Sequence, residues 1–361
     1  MKKTIKSFAA IATLICATPS QAVDLGIMTD VTYSSSTAEG STGGFFLGQF
    51  DVFGAQQIGE KDRAFAEFVI EDADGFKIDL ERMWIEHMFS NSFKLAAGRF
   101  HTPLGYYNRT YHHGSLLQFS AYRPAFLDFE DSSTSILPTH IVGLLATGNL
   151  PLGLSYEFAV ANGSSINSSK DVTDREIEMN NVGDTNNSKS TVLRVMAAPP
   201  SMPFHVGVFG MKNAIAESAG AGATLGVSTG ETLIDQSVYG IDFKYDSKWF
   251  GTMGEAFAFK NDSKIPGSTG TYSALAYFIQ LEVFVAPKWT PGYRYETVTF
   301  DKNDPYFNGT LLAREEAIHH LIGLRYDVDD TNAIKLQADV RHPEFGGSDT
   351  TYSLQWTWIM P

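Results

Sequence analysis

The chain has 361 residues, with 27 Lys and Arg against 41 Asp and Glu, and a formal net charge of -14. That length suits two average domains or one large all-β barrel, and the acidity excludes a nucleic-acid partner, which requires a basic footprint. Mean hydropathy is -0.11 and no run after the N-terminus approaches the ~18 apolar residues of a membrane helix, so if the chain meets a bilayer it must cross as strands.

In chain order, the first element is a leader. Lys2, Lys3 and Lys6 precede a short apolar stretch from Phe8 to Ala17, and Ser20-Gln21-Ala22 has the small-x-small form of a cleavage site. Residues 1–22 are therefore expected to be a secretory signal peptide and residues 23–361 the mature protein. Cys16, the single cysteine, sits in this leader behind Thr13-Leu14-Ile15, which is not a lipoprotein signal. An exported chain without disulfides points to a bacterial envelope. Losing the three leader lysines lowers Lys plus Arg from 27 to 24 and takes the net charge from -14 to -17.

From residue 24 onward the apolar residues recur with period 2. Phe76, Ile78 and Leu80 oppose Lys77, Asp79 and Glu81; Tyr239, Ile241, Phe243 and Tyr245 oppose Asp242 and Lys244; Tyr352, Leu354, Trp356 and Trp358 oppose Ser353, Gln355 and Thr357. The pattern predicts 16 strands, at 24–34, 43–57, 62–72, 76–89, 92–101, 139–149, 151–162, 190–199, 202–213, 235–246, 248–260, 272–286, 288–300, 317–328, 332–342 and 350–359. A change of phase at Arg82 to Ile85 predicts a bulge. Tight turns alternate with longer polar connections at 35–42, 102–138, 163–189, 214–234, 261–271, 301–316 and 343–349, with a short one at 73–75.

An even strand count with the long connections at one end is the pattern of an all-β fold, a 16-stranded antiparallel transmembrane β-barrel. A soluble sandwich or propeller has no reason to keep its long loops at one end. A bilayer supplies one, because unpaired backbone groups in lipid force the sheet to close and insertion leaves the short turns on one side. Trp249, Phe250, Trp289, Tyr293, Tyr295, Trp356 and Trp358 near strand ends suit the two interfacial girdles.

The connection 102–138 is the longest, at about 37 residues, and would be the third external loop. Tyr106, Tyr107, Tyr111, Leu116, Leu117, Phe119, Tyr122, Phe126, Leu127 and Phe129 give it apolar surface that suits folding back into the lumen better than free solvation. Arg109, His112, His113 and Arg123, followed by Asp128, Glu130 and Asp131, are then the candidate constriction residues. Opposed charges in a narrow aqueous passage select solutes by charge and dipole. The candidate lining residues from the strands are Lys77, Asp79, Glu81, Lys94, Asp242, Lys244, Arg294, Glu296, Arg325, Lys335, Asp339 and Arg341. The alternative role for the loop Arg and His residues is to bond loop carbonyls and hold the fold.

The segment Gly98-Arg99-Phe100-His101-Thr102-Pro103-Leu104-Gly105-Tyr106-Tyr107-Asn108 resembles the G-R-F-x-x-P-x-G pattern of the phosphate-selective porin O/P-like family. The resemblance implies an outer-membrane diffusion channel and a homotrimer. Anion-selective members line the pore with an Arg and Lys ladder, whereas both signs occur here, so cation preference stands beside anion or phosphate preference. The chain ends Trp358-Ile359-Met360-Pro361 rather than in an aromatic residue. Contact with the barrel-assembly machinery would then rest on Tyr352, Leu354, Trp356 and Trp358.

Other chemistry finds little footing. His112-His113 and His319-His320 are adjacent pairs, and neighbours on a strand face opposite ways, so neither pair chelates a metal by itself. Asp301-Lys302-Asn303-Asp304-Pro305 lacks the spacing of an EF-hand. The glycine-rich stretch 220–230 has no Gly-Lys-Ser/Thr ending, and no G-x-S-x-G elbow occurs. The expectation is a porin in the bacterial outer membrane, in contact with lipid and lipopolysaccharide, passing small hydrophilic solutes or ions without cofactor, metal or catalysis. The alternatives are a plugged barrel that binds or adheres through surface loops, with the Asn- and Ser-rich loop 163–189 solvated, and an outer-membrane hydrolase.

Overall fold

The structure, a computed structural model, describes residues 23–72, 76–112, 117–220 and 223–360. The leader, the short connection 73–75, His113 and Leu116 lie outside the described residues.

The strands are β1 (Asp24–Ser36), β2 (Gly44–Gln57), β3 (Asp62–Asp72), β4 (Phe76–Ser90), β5 (Phe93–His101), β6 (His140–Leu150) and β7 (Leu154–Asn162), then the short β8 (Ser164–Ile166) and β9 (Glu178–Met179). There follow β10 (Lys189–Ala197), β11 (Phe204–Glu217), β12 (Thr232–Asp246), β13 (Phe250–Ser263), β14 (Gly270–Val283), β15 (Trp289–Phe300), β16 (Ala317–Asp327), β17 (Asn332–Pro343) and β18 (Asp349–Met360). Neighbours in sequence pair antiparallel, β7 pairs directly with β10, and β1 pairs with both β2 and β18, so the sheet closes on itself. The small β8 and β9 belong to the connection after β7, which leaves a barrel of 16 strands. Closure removes the free edges that an open sheet would present.

Each strand expected from the alternation has its counterpart. The largest boundary difference is at β11 and β12, where Ala214 and Ile215 pair with Asp235 and Ile234 inside what read as a connection. Ile215, Leu233 and Ile234 are fully buried there, so burial against other loops extends the hairpin beyond the alternating stretch. β7 begins at Leu154 rather than at the expected 151, because Pro151–Gly153 form the turn, with Leu152 at a φ of 66°. The expected bulge lies just upstream, because Glu67 faces Arg82 while Phe68 faces Leu80, which makes Glu81 the extra residue.

The two faces are inverted relative to a soluble protein. On β17 Leu336 is 52% exposed while Lys335 is 0% exposed, and on β18 Tyr352, Leu354 and Trp356 are exposed while Ser353, Gln355 and Thr357 are buried. On β12 Tyr239 and Ile241 face out and Asp242 faces in. An apolar belt of this extent needs an apolar surrounding.

One side of the interior is packed. Phe209, Met211, Phe257, Phe259 and Phe278 from β11, β13 and β14 form an apolar core with residues of two connections. Tyr107 and Phe126 come from the connection after β5, with ring centroids 5.7 Å from Phe278 and 5.6 Å from Phe257. Tyr306, Phe307, Leu311 and Leu312 come from the connection 301–316, which read as polar in sequence but is buried at these four positions. The connection 163–188 is likewise no free surface loop. Ile166 and Ile177 are buried, Arg175 donates to Ser168 O at 2.7 Å and Thr310 O at 2.6 Å, and Ile177 N donates to Glu130 O at 3.4 Å.

Replacing Leu336 on the outward face with Arg is expected to lower barrel stability by ~2 to 4 kcal/mol in a urea titration in lipid vesicles. An unchanged midpoint would mean that this face does not meet lipid.

Candidate pore constriction

The connection between β5 and β6 is anchored at its base. Thr102 N donates to Thr139 O at 2.8 Å, and Asn108 Nδ2 donates to both Thr102 O and Thr139 O, at 3.0 and 2.9 Å. A seven-residue helix, α1 (Gly105–Tyr111), follows β5. Gly105 has a φ of +72° and a Cβ there would lie 2.3 Å from Glu255 Oε2, so only glycine lets the helix start against β13. Glu255 accepts from Tyr107 N at 2.5 Å. The other motif glycine, Gly98, has a φ of +143° and a Cβ would stand 2.0 Å from Met83 O. Both glycines of the G-R-F-x-x-P-x-G segment are thus required by the backbone.

Beyond α1 the segment 118–125 crosses the inward faces of β15 to β18. Arg325 donates to Gln118 O at 3.0 Å, Lys335 Nζ to Ser120 O at 3.0 Å, and Ala121 N to Gln337 Oε1 at 2.8 Å. Arg294 donates to Ser120 Oγ, Tyr122 O and Arg123 O at 3.0, 3.1 and 2.9 Å, and Ala125 N donates to Glu296 Oε1 at 3.0 Å. Phe119 fits where Gly292 and Gly323 carry no side chain; a Cβ on either would come within 2.4 or 2.8 Å of its ring. Four residues named from sequence as pore lining, Arg294, Glu296, Arg325 and Lys335, therefore hold loop backbone.

The loop candidates divide similarly. Arg109 binds Glu157 Oε1 through Nε and Nη2 at 2.9 and 2.6 Å. Glu157 continues to Arg194 at 3.5 Å, which reaches Asp242 at 2.9 Å. Arg123 donates to Leu127 O at 2.7 Å and His112 O at 2.5 Å and lies 4.6 Å from the Phe129 ring centre. Burial lowers its guanidinium below the ordinary value, against the opposing pull of Tyr107, Asp128 and Glu130. Asp128 accepts from Phe129 N at 3.1 Å, and Glu130 accepts from His140 N at 2.6 Å. Burial first, and then the Glu130 charge, raises the Asp131 carboxyl above the usual carboxylate range. His112 Nδ1 lies 2.8 Å from Asn108 Oδ1.

Of the remaining strand candidates, Lys244 pairs with Asp246 at 2.9 Å, Asp339 with His319 at 3.1 Å, and Arg341 with Asp349 at 3.2 Å and also with Glu315. Asp79, Glu81, Glu130 and Asp131 meet Glu176, Glu178 and Arg99 around a cavity of about 440 Å³ at the long-loop end, while Lys77 is exposed. Lys94 joins Arg63, Arg82 and Arg109 around a cavity of about 320 Å³ towards the short turns. A third cavity, of about 610 Å³, lies beside the segment 118–129 and is bordered by Asp30, Asp128, Glu296, Asp339 and Arg123.

Sequence reading passed over Asp30, Asp51, Glu67, Glu157, Arg194 and Glu255, all of them buried. The available signal was a lone charge within a β-branched or aromatic run, as in Asp51 between Phe50 and Val52.

These features define a class: a closed barrel of 16 antiparallel strands, apolar outside and charged within, which is the fold of outer-membrane porins. No protein-family model matches the chain, and no curated protein matches it in sequence. Among solved structures it is similar to an anion-selective porin from Comamonas acidovorans, with TM-score 0.65 and 11% identity over 94% of this chain and 99% of the other. It is similar also to the outer-membrane channel DcaP of Acinetobacter baumannii, with TM-score 0.65 and 11% identity over 94% and 97%. Salmonella typhi OmpF, in complex with daunomycin, gives TM-score 0.61 and 13% identity over 94% and 97%. Such likenesses establish the fold, and the resemblance to the phosphate-selective O/P-like family rests on residues 98–108.

Replacing Arg294 with Ala removes charge-assisted bonds of ~1.5 to 3 kcal/mol each from the loop backbone. Hydrogen exchange at the amides of Ala121 and Ala125 should accelerate roughly tenfold or more; unchanged protection would show that Phe119 packing alone holds the segment.

Proposed function

We propose that the protein is a non-enzymatic porin of the bacterial outer membrane that lets small hydrophilic solutes and ions diffuse passively. The connection 102–138 narrows its lumen. The observation that carries this reading is the cavity of about 610 Å³ that remains beside the segment 118–129, between it and the walls formed by β1, β2, β17 and β18. Asp30, Asp128, Glu296 and Asp339 border it; among the described lining residues Arg123 is the one Lys or Arg, and its donors bond the loop. With the cavity at the long-loop end, where Asp79, Glu81, Glu130, Asp131, Glu176 and Glu178 outnumber Arg99 and His140, this arrangement raises the local concentration of cations and opposes phosphate. The passage is accordingly cation-preferring, unlike the neighbour described as anion-selective.

Single-channel recording of the mature chain in a planar bilayer should give stable ohmic steps, and a KCl gradient should give a reversal potential of the sign set by K⁺. The double variant Asp128→Asn, Asp339→Asn should lower the K⁺ to Cl⁻ permeability ratio at least about twofold, since each removes a field source at the passage. A wild-type reversal potential of the chloride sign would refute the cation preference while leaving the porin reading intact.

One observation favours a second reading, a plugged barrel. The apolar core fills the β11 to β15 side, and Arg175 ties the connection 163–188 to that at 301–316. Folded barrels that carry no current would establish it in place of the channel. A homotrimer, the form described for one similar barrel, OmpT of Vibrio cholerae, is the assembly we assign. Light scattering of the detergent-solubilised protein should return three chains per particle.

A further inference from the structure

Three histidines far apart in sequence meet at the long-loop end of the barrel. His101 ends β5, His112 follows α1, and His140 begins β6. All three are buried, at 2%, 3% and 1% exposure, and each offers a ring nitrogen within 4.8 Å of the others. The ring centroids of His101 and His112 are 3.9 Å apart, and those of His112 and His140 4.3 Å. Glu81, the extra residue of the β4 bulge, adds a carboxylate, with Oε2 2.8 Å from His140 Nε2 and 3.9 Å from His112 Nε2.

The surroundings orient two of these rings. Asn108 Nδ2 donates to Thr102 O and Thr139 O, which fixes Asn108 Oδ1 as an acceptor. His112 Nδ1, 2.8 Å from that oxygen, must then carry the proton, leaving the Nε2 lone pair towards Glu81 and the other rings. His140 Nδ1 lies 3.1 Å from Glu130 Oε1, so its Nε2 likewise faces Glu81. A carboxylate or amide oxygen behind each imidazole is the arrangement that holds metal-ligating histidines in place and raises their basicity.

We propose that His101, His112, His140 and Glu81 form a structural site for one divalent transition-metal ion, of which Zn²⁺ is the best match. Three imidazoles and one carboxylate make a four-coordinate set, with borderline donors suited to zinc rather than to calcium or magnesium. Tetrahedral bonds of about 2.0 to 2.1 Å place donors roughly 3.3 Å apart, so small side-chain rotations draw the four groups together. The set is buried and supplies all four positions, which fits a structural ion rather than one that activates water. Bound there, it fastens the end of α1 to β4, β5 and β6, at the base of the long connection. The ligands come from four separate places in the chain.

The test uses the folded full-length mature barrel in detergent, stripped with a strong chelator and then equilibrated with Zn²⁺. Elemental analysis should find one zinc per chain, and X-ray absorption at the zinc edge should count three imidazole ligands. His112→Ala and His140→Gln should each weaken binding roughly 100-fold, and Glu130→Gln, behind the site, roughly tenfold. His320→Ala, elsewhere on β16, should bind as wild type. Heat-modifiable electrophoretic mobility checks that each variant is folded. If the ligand variants do not fold, the wild-type ligand count decides alone. No stoichiometric zinc, equal binding by His112→Ala, or a spectrum with fewer than two imidazoles overturns the site, whether or not the barrel conducts.

Discussion

Pairing of the backbone is the constraint on which this molecule depends. In an apolar surrounding no water is available to the amides at a sheet edge, so the first strand must meet the last. Val31 faces Trp356 and Tyr33 faces Leu354 across that seam. Once the sheet is closed, alternation sorts every strand into an outward apolar row and an inward row of a different character. The belt containing Ile241, Leu336 and Trp356 and the buried Asp242, Lys335 and Gln355 are consequences of the same period of two.

Closure also creates an interior that must be filled or kept wet, and the chain does both. On the β11 to β15 side, inward aromatic residues pack against Tyr107, Phe126 and Phe307. Across β15 to β18 the backbone of the segment 118–125 is held by Arg294, Arg325, Lys335, Gln337 and Glu296, beside the packing of Phe119. Charged groups are effective there because a buried carbonyl without a partner is costly and an ionised donor makes a stronger bond than a neutral one. The charges at the edge of the remaining space are mostly carboxylates, and one of them, Glu296, also anchors the loop backbone.

Local pattern carried much of this. The period of two located every barrel strand, the change of phase located the bulge within a few residues, and the aromatic content of residues 105–129 marked a segment unsuited to free solvation. Distant partners were invisible to it. Arg294 and Arg341 look alike as inward-facing arginines, yet one bonds three loop groups and the other pairs with Asp349 at the surface. The connection 301–316 read as polar because Asp301, Asn303, Asp304 and Asn308 surround its four buried apolar residues. Asp304 accepts from Asn261 Nδ2 and Tyr306 N, at 2.8 and 2.9 Å, and turns the chain so that Tyr306 and Phe307 point into the core.

The sequence by itself determined the strand number, the alternation of faces away from the bulge in β4 and the grouping of the long connections at one end, because these follow from a repeat of two residues and the chemistry of turns. Tertiary structure alone decided which inward charges anchor a loop and which border open space, and it alone brought Glu81, His101, His112 and His140 together. The physical reason is that a closed barrel makes neighbours of residues tens to hundreds of positions apart, and the function of a charge or an imidazole depends on the group that faces it.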